Sequence, residues 1–397
     1  MTKENNFDTF QYAFIVKDYK TYTNAEEAWY KFSGHKKGSI LFVIVPNKDT
    51  ETTATLNDLI DTDKWQEIVW FKSLCNYPVK SALKKPFFKS KLLINLYEGR
   101  EYLYKLFDRL ALDKIGKKYG SIPTVFSGHR NTQEHLAASL NPDELYIMDS
   151  GANIQKRIRS SGYLDVRKVG RRTPLKYLLN KFIALKHFDR SKTKLFTIYA
   201  DTVKTKHEVV KNEFSYRKMK VKNMEVGTDI YFISSPVFAK KDRNISLQSY
   251  LEFVRDIFTQ FDIDSRDVVY MPHPVHEDES LVEVIKKYLG CRIDSRKIPI
   301  ETKITIRDKL PVMCISPYSS SVANISQFAR QKFRLVYAWH FEFDCFEHLH
   351  KWKLNSLEKN SLIEIVPITD TEPLFYIEEG GCKEPVFKHF KNFGKEN

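Results

Sequence analysis

Three short segments of the chain end an apolar run in side chains that can move a proton or hold a phosphate. In Tyr146-Ile147-Met148-Asp149-Ser150-Gly151 the run stops at a carboxylate, and Gly151 permits a sharp turn behind it. A carboxylate so placed can take a proton from a hydroxyl; the structural alternative is that Asp149 caps the next element. In Val268-Val269-Tyr270-Met271-Pro272-His273-Pro274 an imidazole stands between two prolines that fix the backbone on either side. Histidine suits the stabilisation or protonation of a departing phosphate near neutral pH, although a lone histidine is often structural. In Val312-Met313-Cys314-Ile315-Ser316-Pro317-Tyr318-Ser319-Ser320-Ser321 a run enters a hydroxyl-rich turn. A helix starting there would offer N–H groups and hydroxyls to a phosphate, but serines also cap helices generally.

Each segment sits where a doubly wound sheet places function, just past the C-terminal end of a strand. The surrounding pattern is α/β: short β-branched and aromatic runs alternate with helical ones. Strands are expected at Tyr12–Val16, Ser39–Val45, Glu67–Phe71, Thr124–Ser127, Glu144–Met148 and Lys194–Tyr199. Helices are expected at Lys91–Tyr119 and Asn131–Leu140; the first carries Leu92, Leu96, Leu103, Phe107 and Leu110 at helical spacing. A polar, basic passage, Asp201–Asn223, follows. Beyond it the alternation restarts with strand Asp229–Ser234, helix Ser246–Phe261, strand Asp267–Met271 and helix Ser280–Leu289. Strand Pro311–Ser316, a helix from Ser321 and strand Phe333–Ala338 complete it. Two domains are therefore expected, 1–223 and 224–397, with a final helix that packs back on the first. No Gly-rich GxGxxG turn opens either half, so a dinucleotide fingerprint is absent.

Composition bounds the partners. Of the 397 residues, 42% are hydrophobic and 29% charged, which fits a globular protein and not a disordered one. The N-terminal MTKENNFDTFQ carries no apolar signal region, and no stretch approaches the roughly 18 apolar residues of a membrane span, so a cytoplasmic location is expected. Five scattered cysteines without CxxC spacing fit free thiols and not a zinc site or disulfide framework. The net charge is +14, and Lys156–Lys222 holds roughly 20 Lys/Arg against about five Asp/Glu. Nucleic acid, an anionic membrane face and a polyanionic substrate would each fit that excess, as would a merely solvated surface. The acidic run His276–Glu279 reads as a helix N-terminal cluster, and His340, His348 and His350 lie among aromatics; neither is expected to bind metal.

The ordered set, carboxylate-x-Gly, then His-Pro, then a Ser run, resembles the motifs of bacterial sialyltransferases, in particular the capsular polysialyltransferases and lipooligosaccharide sialyltransferases. The resemblance covers motif order and spacing from about Gly128 to Ser321. It implies two Rossmann-like doubly wound lobes facing across a cleft, the GT-B type of glycosyltransferase. It also implies inverting, metal-independent transfer of sialic acid from CMP-sialic acid, the donor substrate, with no cofactor. By position Asp149 would be the general base, and His273, with Pro274, would meet the CMP phosphate. Ser319 and Ser320, or Ser321 in a shifted register, would hold the same phosphate, and Glu301 of Pro299-Ile300-Glu301 would contact the ribose. Ser150 departs from the family, which has a second acid there. The acceptor side would comprise Gly128, His129, Asn131 and Gly151, with Lys156, Arg157, Arg159, Arg171 and Arg172 gripping an anionic glycan such as a polysialic chain. Peripheral association with the inner membrane or a capsule-synthesis complex is a further expectation, one that the tail Pro385–Lys395 could share. Two alternatives stay open: transfer of another CMP-sugar such as Kdo, and non-catalytic binding of a polyanion or nucleic acid. No helix-turn-helix, RNA-recognition or zinc-finger signature supports the last.

Overall fold

The apolar runs become parallel strands because they are buried on both faces, as a sheet covered on each side by helices requires. The computed structural model describes residues 10–34, 38–47, 49–74, 91–129, 131–149, 193–201, 203, 205, 207–235, 246–273, 279–296, 298–317, 321–329, 332–339, 363–367, 376–379 and 382–385. The chain forms two compact units, Met1–Tyr216 and Arg217–Asn397, and the division falls inside the basic passage Asp201–Asn223.

In the first unit the elements run β1 (Tyr12–Val16), α1 (Tyr19–Ala28), β2 (Ser39–Pro46), α2 (Thr50–Leu59), β3 (Glu67–Ser73) and α3 (Lys91–Tyr119). They continue with β4 (Thr124–Ser127), α4 (Asn131–Ser139), β5 (Glu144–Met148), β6 (Thr193–Thr197), β7 (Val209–Lys211) and α5 (Ser215–Lys222), the last crossing into the second unit. All seven strands are parallel, in the order β3-β2-β1-β4-β5-β6-β7. The direction of winding reverses between β1 and β4, the switch point of a Rossmann-like sheet.

The two-residue period of the strands sorts the core. Phe14, Val16, Leu41, Val43, Phe126 and Met148 face α1 and α2, where Tyr22, Ala25 and Leu56 pack. Ala13, Ile15, Ile40, Phe42, Val125 and Ile147 face Leu112 of α3 and Leu136 of α4. α1 starts from a capping box, Asp18 accepting from the Thr21 N–H, and runs into a π-turn over Trp29–Ser33 that Gly34 ends in the left-handed region. That turn drops Phe32 onto Phe126 and Tyr146, with ring centroids 4.9 and 5.1 Å away.

The second unit repeats the plan: β8 (Glu225–Val226), β9 (Ile230–Ile233), α6 (Leu247–Gln260), β10 (Val268–Met271), α7 (Glu279–Leu289), β11 (Arg292–Ile293), α8 (Ile300–Thr305), β12 (Lys309–Leu310), β13 (Met313–Pro317), α9 (Ser321–Ala329), β14 (Arg334–Trp339) and β15 (Glu364–Pro367). Its parallel sheet has the order β11-β10-β9-β13-β14-β15, with the switch point between β9 and β13. β8 and β12 make a separate parallel pair, and β16 (Tyr376–Glu379) and β17 (Cys382–Pro385) an antiparallel hairpin. Among the described residues no helix is long and apolar enough to cross a membrane.

Of the apolar residues at helical spacing in α3, Leu103, Phe107 and Leu110 are exposed, and the side chains of Leu92 and Leu96 lie outside the described residues; the helix turns Leu112 inward, because buried Asp108 is tied to the end of β3 through the Ser73 hydroxyl and the Leu74 N–H. The passage Asp201–Asn223 also carries structure, β7 and α5, with Phe214, Tyr216, Arg217 and Val221 buried. The polar sequence hides a helix that relies on a few aromatic anchors.

α3 and α4 approach so closely that a methyl group on Gly116 would lie 2.6 Å from the Ser139 Cβ and 2.8 Å from its carbonyl oxygen. Gly116→Ala is expected to destabilise the fold by about 1–3 kcal/mol, read as a lower urea midpoint at unchanged slope. An unchanged midpoint would mean that the two helices separate freely.

Candidate active site

Asp149 leaves β5 at the C-terminal edge of the first sheet and is buried. The β5–β6 register pairs Met148 with Phe196, so the carboxylate reaches the chain just past β6. There its Oδ2 accepts the Ile198 N–H at 2.9 Å, whereas Oδ1 has no hydrogen-bond partner among the described residues. Burial pushes its pKa up from 3.8 to about 7, against the opposing pull of the Ile198 N–H and the Thr197 side chain. The result is a carboxylate with one oxygen uncommitted and an affinity for protons matched to neutral pH, which is what a general base needs.

The backbone at Asp149 is held by a relay that no sequence signal announced. Asn24 of α1 donates from Nδ2 to the Asp149 carbonyl at 3.0 Å, and Asn212 donates from Nδ2 to the Asn24 Oδ1 at 2.9 Å. Asn212 also donates its N–H to the Thr197 carbonyl and accepts the Phe214 N–H, so both ends of its amide are used. The last bond holds Phe214 at φ +53°, a left-handed conformation that a bulky residue rarely adopts. Three segments far apart in sequence therefore converge on one turn. Beside them the buried pair Lys64–Glu26 closes at 2.6 Å, and Lys64 also lies over the Tyr216 ring, 4.6 Å from its centroid.

The β4–β5 register pairs Ser127 with Ile147, which carries Gly128 and His129 past the strand level with Met148 and Asp149. His129 is buried. Gly128 serves packing: a Cβ there would lie 2.6 Å from the buried Gln133 amide, which donates to the Ile15 carbonyl and ties α4 to the switch point. The proposed acceptor role of Gly128 thus has a structural competitor. Asn131 opens α4.

In the second unit His273 follows β10 and is half-buried. Continuing the β9–β10 register, which pairs Met271 with Ile233, sets His273 level with Ser235. A hydroxyl lattice ties these strand ends together. The Tyr270 phenol donates to the Ser234 Oγ at 2.9 Å, Ser234 and Tyr250 hydroxyls lie 3.1 Å apart, and the Ser316 Oγ donates to the Ile233 carbonyl. Ser234-Ser235-Pro236 at the end of β9 is the same kind of serine-bearing strand end as the third segment, and sequence reading overlooked it.

Glu301 stands in the first turn of α8, and Asn324 of α9 donates to its carboxylate at 2.7 Å. The structure thereby links the Pro-x-Glu segment to the helix that Ser321 begins. α8 is anchored by Asp294 at the end of β11. Burial works to raise Asp294, but Arg296, Lys303 and Arg307 outweigh it and hold the carboxyl well below the usual range. Arg296 and Arg307 contact it at 2.7 and 2.6 Å. Lys303, equally buried, is pushed down to about 8 by desolvation against the pull of Asp294.

Pro274, Ser319, Ser320, Gly151, Lys156, Arg157, Arg159, Arg171 and Arg172 lie outside the described residues, as do Ser150, most of the His276–Glu279 run, His340, His348, His350 and all of the tail after Pro385. Among the described residues no group of three or more His, Cys, Asp or Glu side chains is placed to hold a metal ion.

No family model and no curated protein matches the chain. Among solved structures it is similar to a glycosyltransferase from Rickettsia africae ESF-5, at 12% identity over 84% of this chain and 80% of that one, with a TM-score of 0.36. It is similar to the E. coli ADP-heptose lipopolysaccharide heptosyltransferase II at 10% identity, 83% and 85% coverage and a TM-score of 0.36. It is also similar to LpCGTa in complex with UDP, at 11% identity, 91% and 86% coverage and a TM-score of 0.41. The fold class of the chain itself is α/β, with two Rossmann-like doubly wound lobes.

The raised pKa of Asp149 has a sign that stability measurements can read. Below the ordinary value of 3.8 the acid is protonated in both folded and unfolded chains. As pH rises towards 7 the unfolded chain sheds the proton freely, whereas the folded one keeps it, so stability is lost across that window. Asp149→Asn is expected to be more stable than the wild type above pH 7 by up to about 4 kcal/mol, the gap closing towards pH 4. Thermal unfolding of both proteins across this range checks it; a gap that does not vary with pH would contradict the raised pKa.

Proposed function

We propose that the protein is a glycosyltransferase that moves sialic acid from CMP-sialic acid onto a glycan acceptor with inversion. The observation that carries the reading is Asp149: a buried carboxylate at the C-terminal edge of a doubly wound lobe, one oxygen uncommitted, its pKa at about 7. Support from the other lobe comes from His273, also just past the C-terminal end of a strand, and from Glu301 bonded to the helix that the serine segment begins.

In this reading Asp149 Oδ1 takes the proton of the acceptor hydroxyl as that oxygen bonds to the anomeric carbon of the donor. The bond from that carbon to the phosphate oxygen of CMP breaks in the same step, through a transition state of oxocarbenium character. A carboxylate with an ordinary pKa would be a feeble base; one near 7 holds the proton well and is still half ionised at neutral pH. His273 and the serine hydroxyls stabilise the phosphate as charge develops on it, and Glu301 orients the ribose. One phosphate leaves with less charge than a diphosphate, so hydrogen-bond donors suffice to meet it. The basic residues after Asp149 suit an acceptor that is itself anionic, such as an oligosialic chain.

Incubation with CMP-sialic acid and an oligosialic primer is expected to release CMP and lengthen the primer. Asp149→Asn and His273→Ala should each lower turnover by roughly a hundredfold or more, and the wild-type rate should rise with pH to a plateau above about 7. Undiminished turnover in Asp149→Asn would remove the base from the mechanism. Turnover with another CMP-sugar and none with CMP-sialic acid would move the donor assignment.

A further inference from the structure

α3 buries one face and leaves the other bare. Leu103, Phe107 and Leu110 are 55%, 53% and 56% exposed, the three highest values of any large hydrophobic residue among those described. Spaced i, i+4 and i+7, they form one stripe on the helix, whereas single exposed apolar residues are scattered on ordinary surfaces. The helical period carries the stripe on to Lys114 and to Lys117, both exposed, and Lys118 closes the last turn beside them. Acidic side chains of this stretch point elsewhere. Asp108 is buried against Ser73 and Leu74, and Asp113 turns to Arg109, Ser139 and His135.

Lys118 pairs with Glu67, but Lys114 and Lys117 continue an apolar stripe that carries no acid among the described side chains of α3, and such a stripe calls for a partner that offers apolar depth and negative charge in one plane. A bilayer with anionic headgroups does so. A second copy of this face would bring its own lysines and no acid to meet them. We propose that α3 docks the protein on an anionic lipid surface, with Leu103, Phe107 and Leu110 entering the acyl boundary and Lys114 and Lys117 meeting the headgroups. The net charge of +14 favours the same encounter at long range. Docking requires nothing of the catalytic reading, since it involves neither donor nor acceptor.

Vesicle flotation of the whole protein tests the docking face. The wild type is expected to float with vesicles of phosphatidylcholine and phosphatidylglycerol, and far less with phosphatidylcholine alone. The triple variant Leu103→Ser, Phe107→Ser, Leu110→Ser and the double variant Lys114→Glu, Lys117→Glu should each bind roughly tenfold less. Both should keep the wild-type thermal midpoint and the wild-type rate on a soluble primer. Absence of binding to anionic vesicles, or equal binding by the variants, would overturn the proposal. So would a dimer in sedimentation that the triple variant abolishes, which would give the face to a second copy.

Discussion

A buried carboxylate whose Oδ1 has no hydrogen-bond partner among the described residues is the constraint around which the first unit is organised. Transfer of an ionised Asp149 out of water is unfavourable, and the Ile198 N–H offsets only part of that penalty. The fold tolerates it because the surrounding backbone is fixed by other bonds. Asn24 holds the Asp149 carbonyl, Asn212 holds Asn24, and the left-handed Phe214 is held in turn by Asn212. Rigidity of this kind keeps the carboxylate from relaxing towards water, and the raised pKa follows.

The second unit handles charge in the opposite manner. Its buried Asp294 is surrounded by three cations and stays ionised, and its role is to anchor α8 and so the position of Glu301. Where the first unit leaves an acid under-compensated, the second over-compensates one. The first arrangement raises the proton affinity of its acid; the second makes a rigid mount. At the ends of β9, β10 and β13 the hydroxyls of Ser234, Tyr250, Tyr270 and Ser316 tie the strands together.

Both large sheets share one winding plan, in which the chain enters at an inner strand, adds two strands on one side and then crosses to the other side of the first. The plan sets the candidate residues at the C-terminal edges: Gly128 and His129 at one switch point, Asp149 one strand further out, and His273 one strand from the other switch point. Neither first turn is glycine-rich. In the first unit that place is taken by Lys17 and the Asp18 cap, so a carboxylate already occupies the helix start that a dinucleotide phosphate would use.

Much of this was legible in the residues. β1, β4 and β5 fall where their apolar runs predict, because a strand buried on both faces has to be written as a continuous apolar stretch. Asp149 and His273 were legible for the same reason, as polar residues ending such runs. The sequence alone thus determined the alternation of elements, the fold class and which side chains leave the strand ends. Tertiary structure decided which face of α3 is covered, that Asn24 and Asn212 meet behind Asp149, and that its carboxylate is buried with Oδ1 unpartnered among the described residues. Those outcomes depend on contacts between segments from 34 to 188 residues apart, and no local period or spacing encodes which buried polar group will be left without its partner.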